Sequence, residues 1–187
     1  MSDAPLTFVT LVGSLRRGSY NAALARTLPA LAPDGVTITH APSLDDIPLY
    51  DADIQEADGF PAKVQAIADA IRAADGVIFV TPEYNYSISG VLKNAIDWLS
   101  RMKDQPFADK PYAIQSASMG GGGGARAQVH LRQIMVFLKG IAFNTPEVLV
   151  GAAHTKFDDD LQLTDEPTRE FVGKQLAAFT EFARRVG

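Results

Sequence analysis

The strongest constraint on this chain is its alternation of short apolar runs with longer stretches of helical period. The segment "LTFVTLVG" (6–13) reads as a buried strand. Leu24, Leu28 and Leu31 then fall at i, i+4, i+7, which predicts an amphipathic helix from about Ser19. "GVTITH" (35–40) is a second strand behind Pro33-Asp34, and "APSLDDIPLYDADIQEADG" (41–59) has no sustained period and reads as a long loop. Phe60, Val64, Ile67, Ala68 and Ile71 make one helical face, "GVIFVT" (76–81) a third strand, and "SGVLKNAIDWLSRM" (89–102) another helix. "PYAIQSAS" (111–118), a helix from about Ala125 to Lys139 and the strand "EVLVG" (147–151) repeat the pattern. Val172, Leu176, Phe179, Ala183 and Val186 share one face of a last helix.

Strands that alternate with helices require crossover connections, and those are right-handed and make a parallel sheet covered on both faces. The strands are continuous apolar runs, as doubly buried strands must be. No linker or repeat divides the 187 residues, and 47% hydrophobic content suits one domain spanning 1–187. In such sheets a ligand binds beyond the carboxyl ends of the strands, so the loops that follow strands carry the functional reading.

Three of those loops are unusual. "GSLRRGSYN" (13–21) places Ser14, Ser19, Arg16 and Asn21 where a helix begins. Hydroxyls, a guanidinium, an amide and free N–H groups at a helix N-terminus suit a phosphate. The same residues also suit a plain Ser19 cap with solvated arginines, and this loop alone does not choose. Neither GxxxxGK[ST] nor GxGxxG is present, which disfavours a P-loop and a dinucleotide fingerprint. "TPEYNYSISG" (81–90) ends its strand at Pro82. It then strings together Glu83, Tyr84, Asn85, Tyr86 and Ser87, a polar-aromatic stretch able to frame a flat heteroaromatic ring, with Ser87 or Ser89 as the next helix cap. "SASMGGGGGARAQ" (116–128) spends five glycines before a helix, at a cost in backbone entropy. Close approach of a flat or anionic group to the main chain would repay that cost. The alternative is a flexible linker.

Other classes are weakened. A net charge of -5 with no long basic run argues against nucleic acid and anionic membranes as partners. The absence of cysteine removes disulfides and thiolate chemistry and fits a reducing, cytoplasmic setting, and no apolar stretch reaches membrane-spanning length. His40, His130 and His154 are scattered, without metal-ligand spacing, so no metal site is expected. No catalytic triad suggests itself.

At "GSLRRGSYN", "PEYNYSISGVLKNAIDW", "GGARAQVHLRQI" and "IPLYDAD" the chain resembles the NAD(P)H-dependent FMN reductases, including bacterial chromate and quinone reductases. The resemblance implies a flavodoxin-like, doubly wound, five-stranded parallel sheet of order 2-1-3-4-5. It implies that Ser14, Arg16, Ser19 and Asn21 hold the FMN phosphate. Pro82, Glu83, Tyr84, Asn85 and Ser87 would line the ribityl chain and isoalloxazine, with Ser118, Gly120, Gly121 and Gly122 against the other side. The chemistry would then be the cofactor's: NADPH or NADH as co-substrate, ping-pong hydride transfer through flavin N5, and a quinone, chromate, an azo compound or free flavin as acceptor. Arg101 is a candidate contact for an anionic oxidant or the nucleotide, or else a solvated helix-end residue. The sequence shows no recognisable 2′-phosphate clamp. The resemblance also implies a homodimer or homotetramer, to which the apolar later half of the Ala125 helix (Ile134 to Leu138) adds a surplus face, with Arg126 and Glu147 as interchain ion-pair candidates and His130 either packed or facing a partner subunit. The competing class is a flavodoxin-type electron carrier without a nicotinamide site; 17 basic against 22 acidic residues is a mild balance and favours the enzyme. A sensor of a phosphorylated metabolite would explain the first loop but not the second.

Overall fold

The computed structural model describes residues 4–187. In chain order the elements are β1 (Leu6–Val12), α1 (Tyr20–Thr27), β2 (Val36–His40), α2 (Ala52–Asp58), α3 (Ala62–Ala73), β3 (Gly76–Val80), α4 (Gly90–Leu99), β4 (Pro111–Ala117), α5 (Ala125–Phe137), β5 (Ile141–Ala142), β6 (Val148–Val150) and α6 (Glu166–Val186). Within the sheet the strand pairings are parallel, in the order β2-β1-β3-β4, and β4 then pairs with both β5 and β6. The expected order 2-1-3-4-5 is therefore present, with its fifth position split in two. Ile141–Ala142 lie beside Pro111–Tyr112, and Val148–Val150 beside Gln115–Ala117. Pro146, which has no N–H for a ladder, sits in the gap between them.

The apolar runs divide by alternation. Val9, Leu11, Val77, Phe79, Tyr112 and Ile114 face a core shared with α3, α4 and α5. Phe8, Ile78, Val80 and Ala113 face a second core built with α1 and α6. All five residues of β3 are buried, which is why no polar position interrupts that strand.

Three expectations change. The segment 41–59 is not all loop. It ends in α2, which buries no residue and so has no apolar period to read; Asp51 caps it through the Asp53 N–H (2.9 Å), and Gly59 closes it at φ 79°. Leu28 and Leu31 belong to a 3-10 turn that follows α1 at Pro29. Val186 is the one member of its helical stripe left exposed, while Val172, Leu176, Phe179 and Ala183 are buried.

The strand order reverses between β1 and β3. Beyond their carboxyl ends the loops after β1, β3 and β4 converge, and there the sheet offers its crevice.

Candidate active site

A cavity of about 340 Å³ occupies that crevice. Its walls are Ser14, Arg16, Ser19, Tyr20 and Asn21 from the first loop, Pro82, Glu83 and Tyr84 from the second, and Ala117, Ser118 and Met119 from the third. Of the sequence-predicted residues, Ser14, Arg16, Ser19, Asn21, Pro82, Glu83, Tyr84 and Ser118 thus meet in one place. Asn85, Ser87, Gly120, Gly121, Gly122 and Arg101 lie outside its lining.

The first loop is built for close approach. Gly13 donates to the Val80 carbonyl (2.9 Å), and a Cβ there would lie 2.8 Å from Thr81 Oγ1, so only glycine lets β1 leave the sheet beside β3. Ser19 caps α1 through the Ala22 N–H (3.2 Å), which leaves its hydroxyl proton to donate. Ser14 stands half-buried at the rim, and Arg16 donates to the Gly18 carbonyl (2.9 Å) from an exposed position. Two hydroxyls, a guanidinium and the start of a helix thus ring one end of the cavity. Asn21 is occupied otherwise. Its Nδ2 donates to Ala117 O and its Oδ1 accepts from Ala117 N, both at 2.9 Å, and it is 4% exposed. It straps the first loop to the end of β4.

The second loop is a tight hairpin. Tyr84 and Ser87 exchange backbone bonds at 2.9 and 3.0 Å, and the two central residues, Asn85 and Tyr86, have φ of 50° and 68°. That is the left-handed pair a two-residue hairpin of primed type needs. Asn accepts it readily, whereas a tyrosine there is held against its preference. What holds it is α5. Arg126 lies 4.1 Å over the Tyr86 ring and 3.3 Å from Glu83, and Ser87 Oγ is 3.1 Å from His130 Nδ1. Glu83 Oε2 accepts from the Arg126 and Ala127 N–H groups (3.0 and 3.4 Å) at the start of α5. The Glu83 carboxylate therefore ties the hairpin to a helix, and its side of the cavity is fixed by that tie. Within the chain, Arg126 pairs with Glu83 (3.3 Å) and Glu147 with Arg132 (2.8 Å). The helix cap after the hairpin is Ser89, not Ser87.

The five glycines divide in role. Gly123 and Gly124 are buried at φ 57° and 90°, where a Cβ would come within 2.7 Å of the Leu149 backbone and 2.6 Å of Ser116. Gly121 and Gly122 are exposed with open space around them. Behind the loop, Gln128 donates to Ser116 Oγ and Val148 O (both 2.8 Å), and Ser116 donates to Gly123 O (2.6 Å). Ser118 spends its hydroxyl on Gly120 O (3.0 Å). The sequence pattern did not disclose this buried network, since its partners lie on three elements.

Arg101 stacks 4.9 Å over Tyr50, which packs edge-on against Trp98 at 5.1 Å. Asn94 and Trp98 on α4 hold the 48–50 backbone through bonds of 2.8–2.9 Å.

Residues 6–155 match the family described as NADPH-dependent FMN reductase. The chain belongs to that family. It is 56% identical over 182 residues to a quinone reductase of Escherichia coli (strain K12), with 97% of each chain covered. It is 48% identical over 186 residues to an NAD(P)H-dependent FMN reductase of Pseudomonas aeruginosa, covering 100% of this chain and 99% of that one. Among solved structures, the flavoenzyme NAD(P)H:(acceptor) oxidoreductase FerB of Paracoccus denitrificans superposes with a TM-score of 0.86 at 32% identity, with 97% of this chain and 99% of that chain covered. Members of the NADPH-dependent FMN reductase family work with FMN and a nicotinamide donor, and the cavity fits such a group. Its donor set is neutral or cationic at the α1 end, its middle is bounded by Pro82 and backbone, and Tyr84, 49% exposed, offers an aromatic face at the mouth.

Proposed function

We propose that this protein is an FMN-dependent NAD(P)H oxidoreductase that reduces quinones, with chromate, azo compounds and free flavin as further acceptors. The observation that carries this reading is the convergence of the loops after β1, β3 and β4 on one crevice at the reversal of strand order. Ser14, Ser19 and Arg16 would hold the FMN phosphate at the start of α1, where backbone N–H groups and the helix dipole favour an anion. Pro82, Glu83, Tyr84, Asn85 and Ser87 would shape the ribityl and ring side, and Ser118 with Gly120 to Gly122 the opposite side.

Bound there, FMN supplies a two-electron relay between a nicotinamide and a quinone. The residues of this chain bind, orient and leave one ring face open. Glu83, accepting from the Arg126 and Ala127 N–H groups, ties the hairpin to the start of α5. Asn21 keeps the first and third loops at a fixed separation. Tyr84 and Met119, both exposed, give the acceptor an apolar landing surface. No side chain in the lining is required to take or give a proton, which suits several acceptors.

The protein would work in the cytoplasm as a homodimer or homotetramer. Among the described residues no helix is long and apolar enough to cross a membrane. Val129, Val136 and Phe137 on α5 are 60%, 77% and 86% exposed, an apolar stripe that a second copy would cover. Steady-state quinone reduction with FMN-loaded protein, varying donor and acceptor together, tests the reading. Parallel double-reciprocal lines are expected. A protein that holds FMN but oxidises neither nucleotide would be a one-electron carrier instead.

A further inference from the structure

A second cavity of about 230 Å³ adjoins the first and shares Ser14 with it. It lies between α1 and the end of β2, lined by Val12, Ala22, Ala25, Ala41 and Pro42 together with Ser14, Arg26, His40 and Ser43. We propose that this cavity is the subsite for the 2′-phosphate of NADPH, so that Arg26, His40 and Ser43 select NADPH over NADH. The assignment rests on the oxidoreductase reading above and adds to it the residues that set donor choice.

The chemistry of the lining is one-sided. It holds a guanidinium, an imidazole and two hydroxyls and no carboxylate. Among the described residues Arg26 makes no ion pair and no hydrogen bond, unlike Arg126, which pairs with Glu83, and Arg16, which bonds its own loop. His40 Nδ1 sits 2.6 Å from Thr10 Oγ1, which orients the ring and leaves Nε2 for a ligand. The nearest acid along the chain, Asp45, is taken up by Lys63 at 2.5 Å. Partial burial and, second to it, the Arg26 charge push the His40 pKa down. An anion placed between Arg26 and His40 would relieve both.

Size and place agree. A cavity of this volume is below the range for whole small-molecule ligands but accommodates a phosphate monoester. It opens at the carboxyl ends of β1 and β2, on the same edge as the flavin crevice, and only the Ser14 loop separates the two. A nucleotide whose nicotinamide lies in the crevice could extend its far end over that loop. NADPH and NADH differ by one phosphate, so a pocket for one phosphate discriminates between them. The clamp has no sequence motif because its parts come from residues 12–26 and 40–43 on separate elements.

The test is isothermal titration calorimetry on the FMN-loaded protein with adenosine 2′,5′-bisphosphate, adenosine 5′-monophosphate and inorganic phosphate, on wild type, Arg26→Ala and Arg26→Lys. KM values for NADPH and NADH are measured in parallel. The bisphosphate is expected to bind the wild type at least about tenfold more tightly than either other probe, the scale of a charge-assisted bond. Arg26→Ala should abolish that preference and raise KM for NADPH alone, with FMN content and KM for NADH unchanged; Arg26→Lys should restore part of it. Equal binding of bisphosphate and monophosphate by the wild type, or inorganic phosphate binding as tightly as the bisphosphate, would overturn the assignment. Because the calorimetry needs no turnover, a failure of the oxidoreductase reading would appear separately, as absent nucleotide oxidation.

Discussion

Glu83→Ala should destabilise the protein far more than the loss of a loop glutamate ordinarily would. The residue at the N-cap of α5 is Gly124, at φ 90° and with no side chain to cap the helix. Glu83 Oε2 reaches across from the hairpin to the N–H groups of Arg126 and Ala127, the donors an N-cap side chain usually serves. Loss of a cap costs about 0.5–2 kcal/mol. Loss of a carboxylate at a helix N-terminus adds roughly 0.3–1 kcal/mol. The ion pair with Arg126, whose side chain is 56% exposed, contributes little after solvent screening. Together these give about 2 kcal/mol, or a fall in Tm of roughly 4–8 °C for a chain of this size. Glu83→Gln keeps an acceptor oxygen and should lose about half as much. Arg126→Ala removes the ion pair and the contact with Tyr86 but leaves both backbone bonds, so its cost should stay below about 1 kcal/mol. Thermal unfolding of the flavin-free variants followed by far-UV circular dichroism reads the order. A Glu83→Ala Tm within about 1 °C of wild type, or an Arg126→Ala variant equally destabilised, would refute this account of the hairpin.

Gly124→Ala should be strongly destabilising by thermal melt, because it adds a positive-φ penalty to a 2.6 Å clash, whereas Gly121→Ala and Gly122→Ala, with open space around them, should melt close to wild type. Asn21→Ala leaves the buried Ala117 N–H and carbonyl unpaired and should cost about 2–4 kcal/mol in urea unfolding; a near-neutral result would mean that water replaces the amide. Arg16→Ala should weaken FMN binding by about 1.5–3 kcal/mol in a fluorescence titration with little change in Tm of the flavin-free protein; unchanged affinity would remove Arg16 from the phosphate site. Bonds from Thr168 and Lys156 hold the Asp165 carboxyl below its ordinary value of 3.8. Its contribution to α6 is therefore present above that value and is lost as pH falls through the lower folded pKa, a loss that Asp165→Asn should remove from the acid limb of the stability profile.

The architecture was legible because burial on both sheet faces leaves a pattern that needs no partner to be read. Val77 to Val80 are apolar whichever face they point to, and Val64, Ile67 and Ile71 keep a helical stripe. The α2 helix escaped because a surface helix that buries nothing has no stripe, only its Asp51 cap. The split of the fifth strand escaped because Ile141–Ala142 is too short to register as a run. In the site, residue types chosen for a phosphate or a ring did gather in one crevice. The roles of Asn21, Glu83 and Ser118 were not readable locally, because the first two have their partners 96 and 43 residues away and the third bonds back into a loop whose shape the sequence did not give. Gly123 and Gly124 likewise answer to Leu149 and Ser116 rather than to a ligand.

The most direct test is an anaerobic absorbance titration of the FMN-loaded protein with NADPH, then with NADH on a fresh sample, each followed by benzoquinone. The yellow flavin band is expected to bleach at one equivalent of nicotinamide per flavin and to recover on addition of one equivalent of quinone. Bound flavin that only dithionite can bleach, or a protein that binds no FMN, would contradict it.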